Sequence, residues 1–258
     1  MHTAPVPGTA TGESVLARAV RVVDAFRPGE TTLQVSEIAR RSGLHLATTS
    51  RLVAELVRLG LLTRDGDRRV RLGLRLWELG SRASPVLSLR EAAMPLMEDL
   101  HAVVGHHTQL AVLDGAEVLF VERLSAPGAV VNLSRIAGRL PLHVSSSGLV
   151  LLAHAPAELA EQVLAGPLQQ LTPATIGTAP RLRSTLAQVR REGFVLCPGH
   201  VHPDATGVGV PVRGTEGTVV AALSVIVPND SDARAPVPAL MAAARGITRR
   251  LGATSPSG

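Results

Sequence analysis

The stretch Val35-Ser-Glu-Ile-Ala-Arg-Arg-Ser-Gly43-Leu-His-Leu-Ala-Thr-Thr-Ser-Arg51-Leu-Val-Ala-Glu-Leu-Val-Arg-Leu59 decides how this chain is read. A helix beginning near Ser36 turns Ile38 and Ala39 inward, and Gly43 supplies the left-handed residue that ends it. A second helix, from about Leu46 to Leu59, lines up Thr49, Leu52, Val53 and Leu56 on one stripe. Ala47, Thr48, Ser50, Arg51, Ala54, Glu55 and Arg58 fall on the other. Helix, tight glycine turn and a helix with a polar, small-residue face predict a helix-turn-helix, whose second helix enters the major groove of DNA. Ala47, Thr48, Ser50, Arg51 and Arg58 are the side chains expected there.

Working outward, residues 61–64 and 69–72 read as two short strands around an Asp65-Gly66 turn, which makes the module a winged helix. Arg64, Arg68, Arg69 and Arg71 crowd into the wing and are expected on a phosphate backbone or in the minor groove. Upstream, Ser14 caps a helix with Leu16, Ala19, Val20 and Val23 on one stripe, ended by Pro28 and Gly29. Residues 1–13, rich in Pro, Gly and Thr, read as a disordered arm.

The distribution of charge agrees with this placement. All 26 basic residues are Arg and the net charge is +5. Residues 1–82 hold 13 Arg against 8 acids, whereas residues 83–258 hold 13 of each, so the whole excess sits on the basic module. Such an asymmetry suits a small domain that meets a polyanion, joined to a larger neutral one. Among the 258 residues no apolar run is long enough for a membrane span, no secretory signal is visible, and the single Cys197 cannot form an internal disulfide. A cytoplasmic protein is expected.

The larger module is expected over residues 85–258, with residues 14–84 forming the DNA-binding domain and its linker helix. The helix from Leu74 through Trp77 joins the halves, Trp77 serves interdomain or dimer packing, and residues 81–85 form the linker. Ser88 to Glu91 reads as a capping box opening a helix through Ala93, Leu96, Met97, Leu100 and Val104. Strands are expected at 108–113, 117–124, 129–133, 208–212 and 218–227, and helices at 146–155, 179–192 and 237–250. The fold class is α+β: a winged helix-turn-helix followed by an antiparallel sheet with flanking helices.

Two clusters carry candidate chemistry. Ser145, Ser146, Ser147 and Gly148 stand at the start of an apolar helix, where hydroxyls and free amides converge into an anion site; plain capping by one serine is the alternative. Cys197, His200, His202 and Asp204 are all of zinc-ligand type, but their spacing matches no standard finger, so pocket lining or loop packing is expected and no metal or cofactor. His106 and His107 point opposite ways along a strand, so at most one faces a ligand. There is no G-x-S-x-G elbow and no P-loop, and Gly207-x-Gly209 lacks the third glycine of a dinucleotide fingerprint. A metal-assisted hydrolase built on the Cys/His loop and a ligand-independent DNA binder remain the alternatives.

The runs 35–44, Thr48, Arg51-Leu52, Leu56 and Leu59 to Leu62, then 71–80, resemble the DNA-binding half of IclR-type transcriptional regulators. Gly138 to His143 with Gly148, then 211–213 and 219–225, are similar to landmarks of that family's effector domain. The resemblance covers about residues 14–251. It implies a GAF-like C-terminal domain that binds a small metabolite, often an organic or aromatic acid, and a homodimer or homotetramer on double-stranded operator DNA. Ser145 to Gly148, Cys197, His200, His202, Asp204 and Ser224 are the expected effector contacts. With only four aromatic residues in the chain, a small carboxylic acid held by hydroxyl and N–H donors is expected rather than a ligand between stacked rings. The chain departs from the family at His45-Leu46, Ser50, 144–149 and 197–206, so operator sequence and ligand do not carry over.

Overall fold

Gly43 takes φ +65° and ends α2 (Val35–Ser42) so abruptly that α3 (Leu46–Arg58) starts three residues later. A Cβ at this position would come within 2.9 Å of the Arg21 guanidinium. α1 (Val15–Asp24) is capped by the Ser14 hydroxyl, which accepts from the Ala17 amide at 3.0 Å. Strands β1 (Leu62–Arg64) and β2 (Val70–Leu72) pair antiparallel, and Leu33 adds a bridge to Val70. α4 (Leu74–Ser81) follows. The core of this unit is Val22, Ala25, Leu33, Ile38, Val53, Leu56, Leu62 and Val70. α1 departs from the expected stripe: Val22 and Ala25 are buried, while Leu16 and Val20 are 78% and 58% exposed. The helix is apolar on two sides, and only one of them meets this core.

The computed structural model describes residues 13–27, 29–82, 85–134 and 136–254. The expected arm, apart from its last residue, lies outside them, as do Pro28 and two residues of the expected linker. The chain divides into two units, 1–84 and 85–258. The expected linker is narrower than residues 81–85, because Ser81 ends α4 and Pro85 opens α5 (Pro85–Val104). Ser88 is therefore inside α5 and not its cap; proline suits the first helical position because its missing N–H would have no helical partner.

The second unit is built on a six-stranded sheet, all of it antiparallel, in the order β5-β4-β3-β8-β7-β6. Its strands are β3 (His107–Asp114), β4 (Glu117–Leu124), β5 (Arg139–Pro141), β6 (Val195–Pro198), β7 (Ala205–Arg213) and β8 (Val219–Pro228). Alternation sorts β8 between two cores. Ala221, Leu223, Val225 and Val227 join α5 and α9 (Val237–Thr254) on one face. Ala222 joins the other face, with α6 (Ser146–Ala153), α7 (Ala157–Ala165) and α8 (Ala179–Glu192).

Three further expectations need correction. Residues 129–133 form no strand; β5 takes the place beside β4, and 129–133 have no ladder partner among the described residues. Cys197 belongs to strand β6, not to a loop. The wing turn is wider than Asp65-Gly66: residues 65–69 form the loop, and Arg68 holds φ +59°. Strands β5 and β6 and helix α7 were not anticipated.

Candidate functional site

On α3, Thr49, Val53 and Leu56 are buried, so the opposite face turns outward: Ala47, Ser50, Arg51, Ala54, Glu55 and Arg58 are exposed and Thr48 half-buried. The turn before it is fixed by Arg21, which bonds the Ser42 carbonyl and pairs with Glu13 at 2.6 Å. Arg41 is drawn into the unit by Glu30 and by Glu37 at 2.6 Å. Arg40 and Arg41 together hold the Glu37 carboxyl down to about 2.

The predicted arginines separate into two groups. Arg58 lies along its own helix against Glu55, with Nε 3.0 Å from Oε2. Arg69 donates from Nε to the Thr32 hydroxyl at 2.9 Å and from Nη2 to the Thr32 carbonyl at 3.2 Å, tying the wing to the strand bridge. The side chains of Arg51, Arg64, Arg68 and Arg71 are exposed and make no hydrogen bond or ion pair with the described residues. The wing apex is built by Asp65, whose carboxylate accepts from the amides of Asp67 and Arg69 at 3.1 and 2.8 Å, while the Arg68 amide donates to the Asp65 carbonyl. That frame keeps Arg68 in a left-handed backbone usually left to glycine or asparagine.

In the second unit, a cavity of about 30 Å³ lies on the α6 face of the sheet. It is lined by Gln109, Phe120, residues 131–134, Leu140, Ser145, Ser146, Ser147, Cys197, residues 200–202, Ala205, Gly207 and Ile226. Two glycines make it possible. A Cβ on Gly207 would fall 2.8 Å from the Ser146 hydroxyl, and one on Gly209 2.9 Å from the Ser146 carbonyl. Their bare backbones let the start of α6 rest directly on β7. Gly148 has the same role against Leu142, whose carbonyl would be 2.3 Å from a Cβ.

Six of the nine expected effector residues, Ser145, Ser146, Ser147, Cys197, His200 and His202, line this cavity, and the other three do not. Gly148 spaces α6 from Leu142, and Asp204 is exposed with its carboxylate 3.9 Å from His202 Nδ1. Ser224 stands behind Ser147, its Oγ 2.8 Å from the Ser147 Oγ. Cys197, His200, His202 and Asp204 do not converge: no three His, Cys, Asp or Glu side chains among the described residues form a metal-holding group. Burial pushes the Cys197 thiol up, so it is a protonated, inert wall. His107 is absorbed into the fold, bonded to Ser125 and, through Nε2, to the Val130 carbonyl at 2.7 Å.

A directional run of polar groups was missed in the sequence. Ser224 donates to Gln109 Oε1 at 3.5 Å, Gln109 Nε2 donates to Ser134 Oγ, and Ser134 Oγ donates to Asn132 Oδ1 at 2.7 Å. With Ser224 spending its proton on Gln109, Ser147 is the donor in the Ser147–Ser224 pair. Asn132 Nδ2, at the end of the run, is buried without a partner among the described residues. His200 Nδ1 is likewise buried and unpartnered. Gln109 was the one available signal, a polar residue in the middle of an apolar strand run. Among the described residues no Arg, Asp or Glu lines the cavity.

Residues 82–251 match the family described as the bacterial transcriptional regulator IclR C-terminal domain, and residues 15–66 match the IclR helix-turn-helix domain. The chain belongs to the IclR family. It is a DNA-binding transcriptional regulator of α+β fold, as the IclR resemblance of its sequence implied. Among its relatives, the HTH-type transcriptional regulator XynR of Escherichia coli (strain K12) is 32% identical over 209 residues, covering 80% of this chain and 83% of that protein. The Pca regulon regulatory protein of Pseudomonas putida is 26% identical over 244 residues, covering 92% and 83%. Among solved IclR structures, that of an IclR homolog complexed with 4-hydroxybenzoate from Microbacterium hydrocarbonoxydans is 48% identical, with a TM-score of 0.89 over 93% of this chain and all of that one.

Proposed function

We propose that the α3 face and the wing are the operator-binding surface and that the cavity beneath α6 is the effector site. The observation that carries this reading is the cavity's unspent polar groups, Asn132 Nδ2 and His200 Nδ1, buried beside the serines at the start of α6. Buried polar atoms without partners are costly and uncommon in a native fold, and a ligand that pairs them stabilises the state it binds. At the DNA surface, Arg51 is the candidate for base contact, and Arg64, Arg68 and Arg71 for phosphate contact, because their guanidinium groups are unspent. Arg58 and Arg69 are assigned to scaffold.

The effector we infer is a carboxylic acid carrying one aromatic ring, the class to which the ligand of the Microbacterium relative belongs. Among the described lining residues Phe120 is the one Phe or Trp, Leu133, Leu140 and Ile226 provide aliphatic walls, and the donors that would meet the acid are neutral. About 30 Å³ holds little more than a water, so entry of such a ligand requires residues 131–134 and 200–202 to part. Differential contact of that kind is what couples ligand to a change of state.

We read the protein as a homodimer that is not an enzyme. Leu16 and Val20 on α1, and Leu74 and Trp77 on α4, offer apolar surface that no described residue of this unit covers, and a two-fold pair would present two recognition helices to two half-sites. A homotetramer, the other assembly that the resemblance implies, would pair two such dimers. Against hydrolysis stand the protonated Cys197 thiol and the outward-turned Asp204. No helix among the described residues is long and apolar enough to cross a membrane, and a cytoplasmic location fits a DNA-binding role. The test is a gel shift on the DNA upstream of its own gene with a panel of aromatic and aliphatic acids. Release or tightening by an aromatic acid supports the reading, and indifference to all of them overturns it.

A further inference from the structure

We infer that His200 accepts a hydrogen bond from a hydroxyl group of the effector, so that the cavity selects hydroxylated aromatic acids over the same acids without a donor. The inference rests on the cavity being the effector site and adds the atom that reads the ligand.

His200 is 5% exposed and lines the cavity. Its backbone is held rigidly: Thr175 Oγ1 donates to the His200 carbonyl at 2.5 Å and Thr172 Oγ1 to the Gly199 carbonyl at 2.6 Å. Burial, and then the nearby charge of Arg181, bring the ring down to about 4, with a hydrogen bond to the Val144 backbone acting the other way. The imidazole is therefore neutral at physiological pH and carries one N–H and one lone pair. With the proton assigned to Nε2, the lone pair lies on Nδ1, the buried atom without a partner among the described residues. That atom requires a donor.

Elsewhere in the cavity the requirement is reversed. Asn132 Oδ1 already accepts from Ser134 at 2.7 Å, so its unpartnered Nδ2 requires an acceptor. One ligand satisfies both atoms if it carries a hydroxyl and a carboxylate. An acid without a hydroxyl leaves Nδ1 unpaired in a closed site, and sites built for a hydroxyl reject ligands that lack it more strongly than apolar walls reject a change of size.

The experiment is isothermal titration calorimetry of the full chain with 4-hydroxybenzoate and 4-fluorobenzoate, which are close in size and differ in the donor. Wild type is expected to bind the hydroxy acid at least about tenfold more tightly. His200→Leu is expected to bring the two acids within about twofold by weakening the hydroxy acid, and His200→Gln, which keeps an acceptor oxygen, to recover part of the preference. Should His200→Leu fail to fold, the wild-type and His200→Gln pair still decides. Equal binding of both acids by wild type overturns the inference and leaves the cavity as the effector site, whereas no binding of either overturns both.

Discussion

Replacing Arg68 by glycine separates the backbone strain at the tip of the wing from the phosphate contact we propose for the side chain. Its φ of +59° costs an L-residue roughly 1–2 kcal/mol, which glycine does not incur. Glycine's greater freedom in the unfolded chain offsets about 0.5–1 kcal/mol of that gain. Arg68→Gly is therefore expected to leave stability level or raise it by about 1 kcal/mol. DNA affinity moves the opposite way. Losing one phosphate contact flattens the salt dependence by about 0.9 in log-log slope, or about 1.8 for the two wings of a dimer. Between about 50 and 200 mM salt, the wild type's advantage should shrink about 3.5-fold per wing. Fluorescence anisotropy on operator and scrambled duplexes across that range, with urea melts in parallel, reads both effects. Arg68→Ala keeps the backbone strain and loses the charge, so it should bind DNA like the glycine variant without the gain in stability. Unchanged salt slopes in both variants would refute the phosphate contact, and a glycine variant less stable than the alanine one would refute the strain.

Arg51→Ala should cost roughly 1–3 kcal/mol on operator DNA and far less on random duplex; equal losses on both would reduce it to a phosphate grip. Gly209→Ala should destabilise the protein by about 1–3 kcal/mol, since its Cβ meets the Ser146 backbone, and should abolish the ligand response by lifting the start of α6; a silent substitution in calorimetry would show that α6 does not sit on β7. Stability should fall as pH drops from about 6.5 toward 4, because the unfolded chain takes up a proton that buried His200 refuses until about pH 4. Its share is bounded at about 3 kcal/mol, with His107 and His154, also lowered by burial, acting in the same direction; thermal melts that are flat over this interval would sink the account.

The DNA-binding half was legible because its signals are local. The stripe on α3, the glycine that ends α2 and the arginine-rich wing all lie within spans that one helix or hairpin fixes. The roles of individual arginines were not legible. Whether Arg69 reaches DNA or Thr32 depends on a partner 37 residues away, and nothing in the local run announces it. In the second unit, the serines of α6 were visible as a helix start, but the groups that complete the cavity come from distant segments. Residues 129–133 have the composition of a strand, yet strands are decided by partners, and the place beside β4 is taken by β5. Asn132 was thereby hidden inside a misread element. Cys197 and His200 looked like neighbours in a loop. One is a strand residue inside the α6 core and the other hangs from a turn held by Thr172 and Thr175.

The sheet's second unit of core has a bearing on how such a protein can change over evolutionary time. Along β8, Leu223 and Val225 serve the α5 and α9 layer while Ala222 and Ile226 face α6 and the cavity. A substitution on that strand disturbs the side chains of both layers, because neighbouring residues share one backbone. The segments at 131–134 and 200–202 carry no such double duty. With the cavity as the proposed effector site, drift in ligand preference would be channelled into these irregular stretches, where a new contact can be tried without refitting two cores, while the strands between them act as a fixed chassis on which successive specificities are mounted.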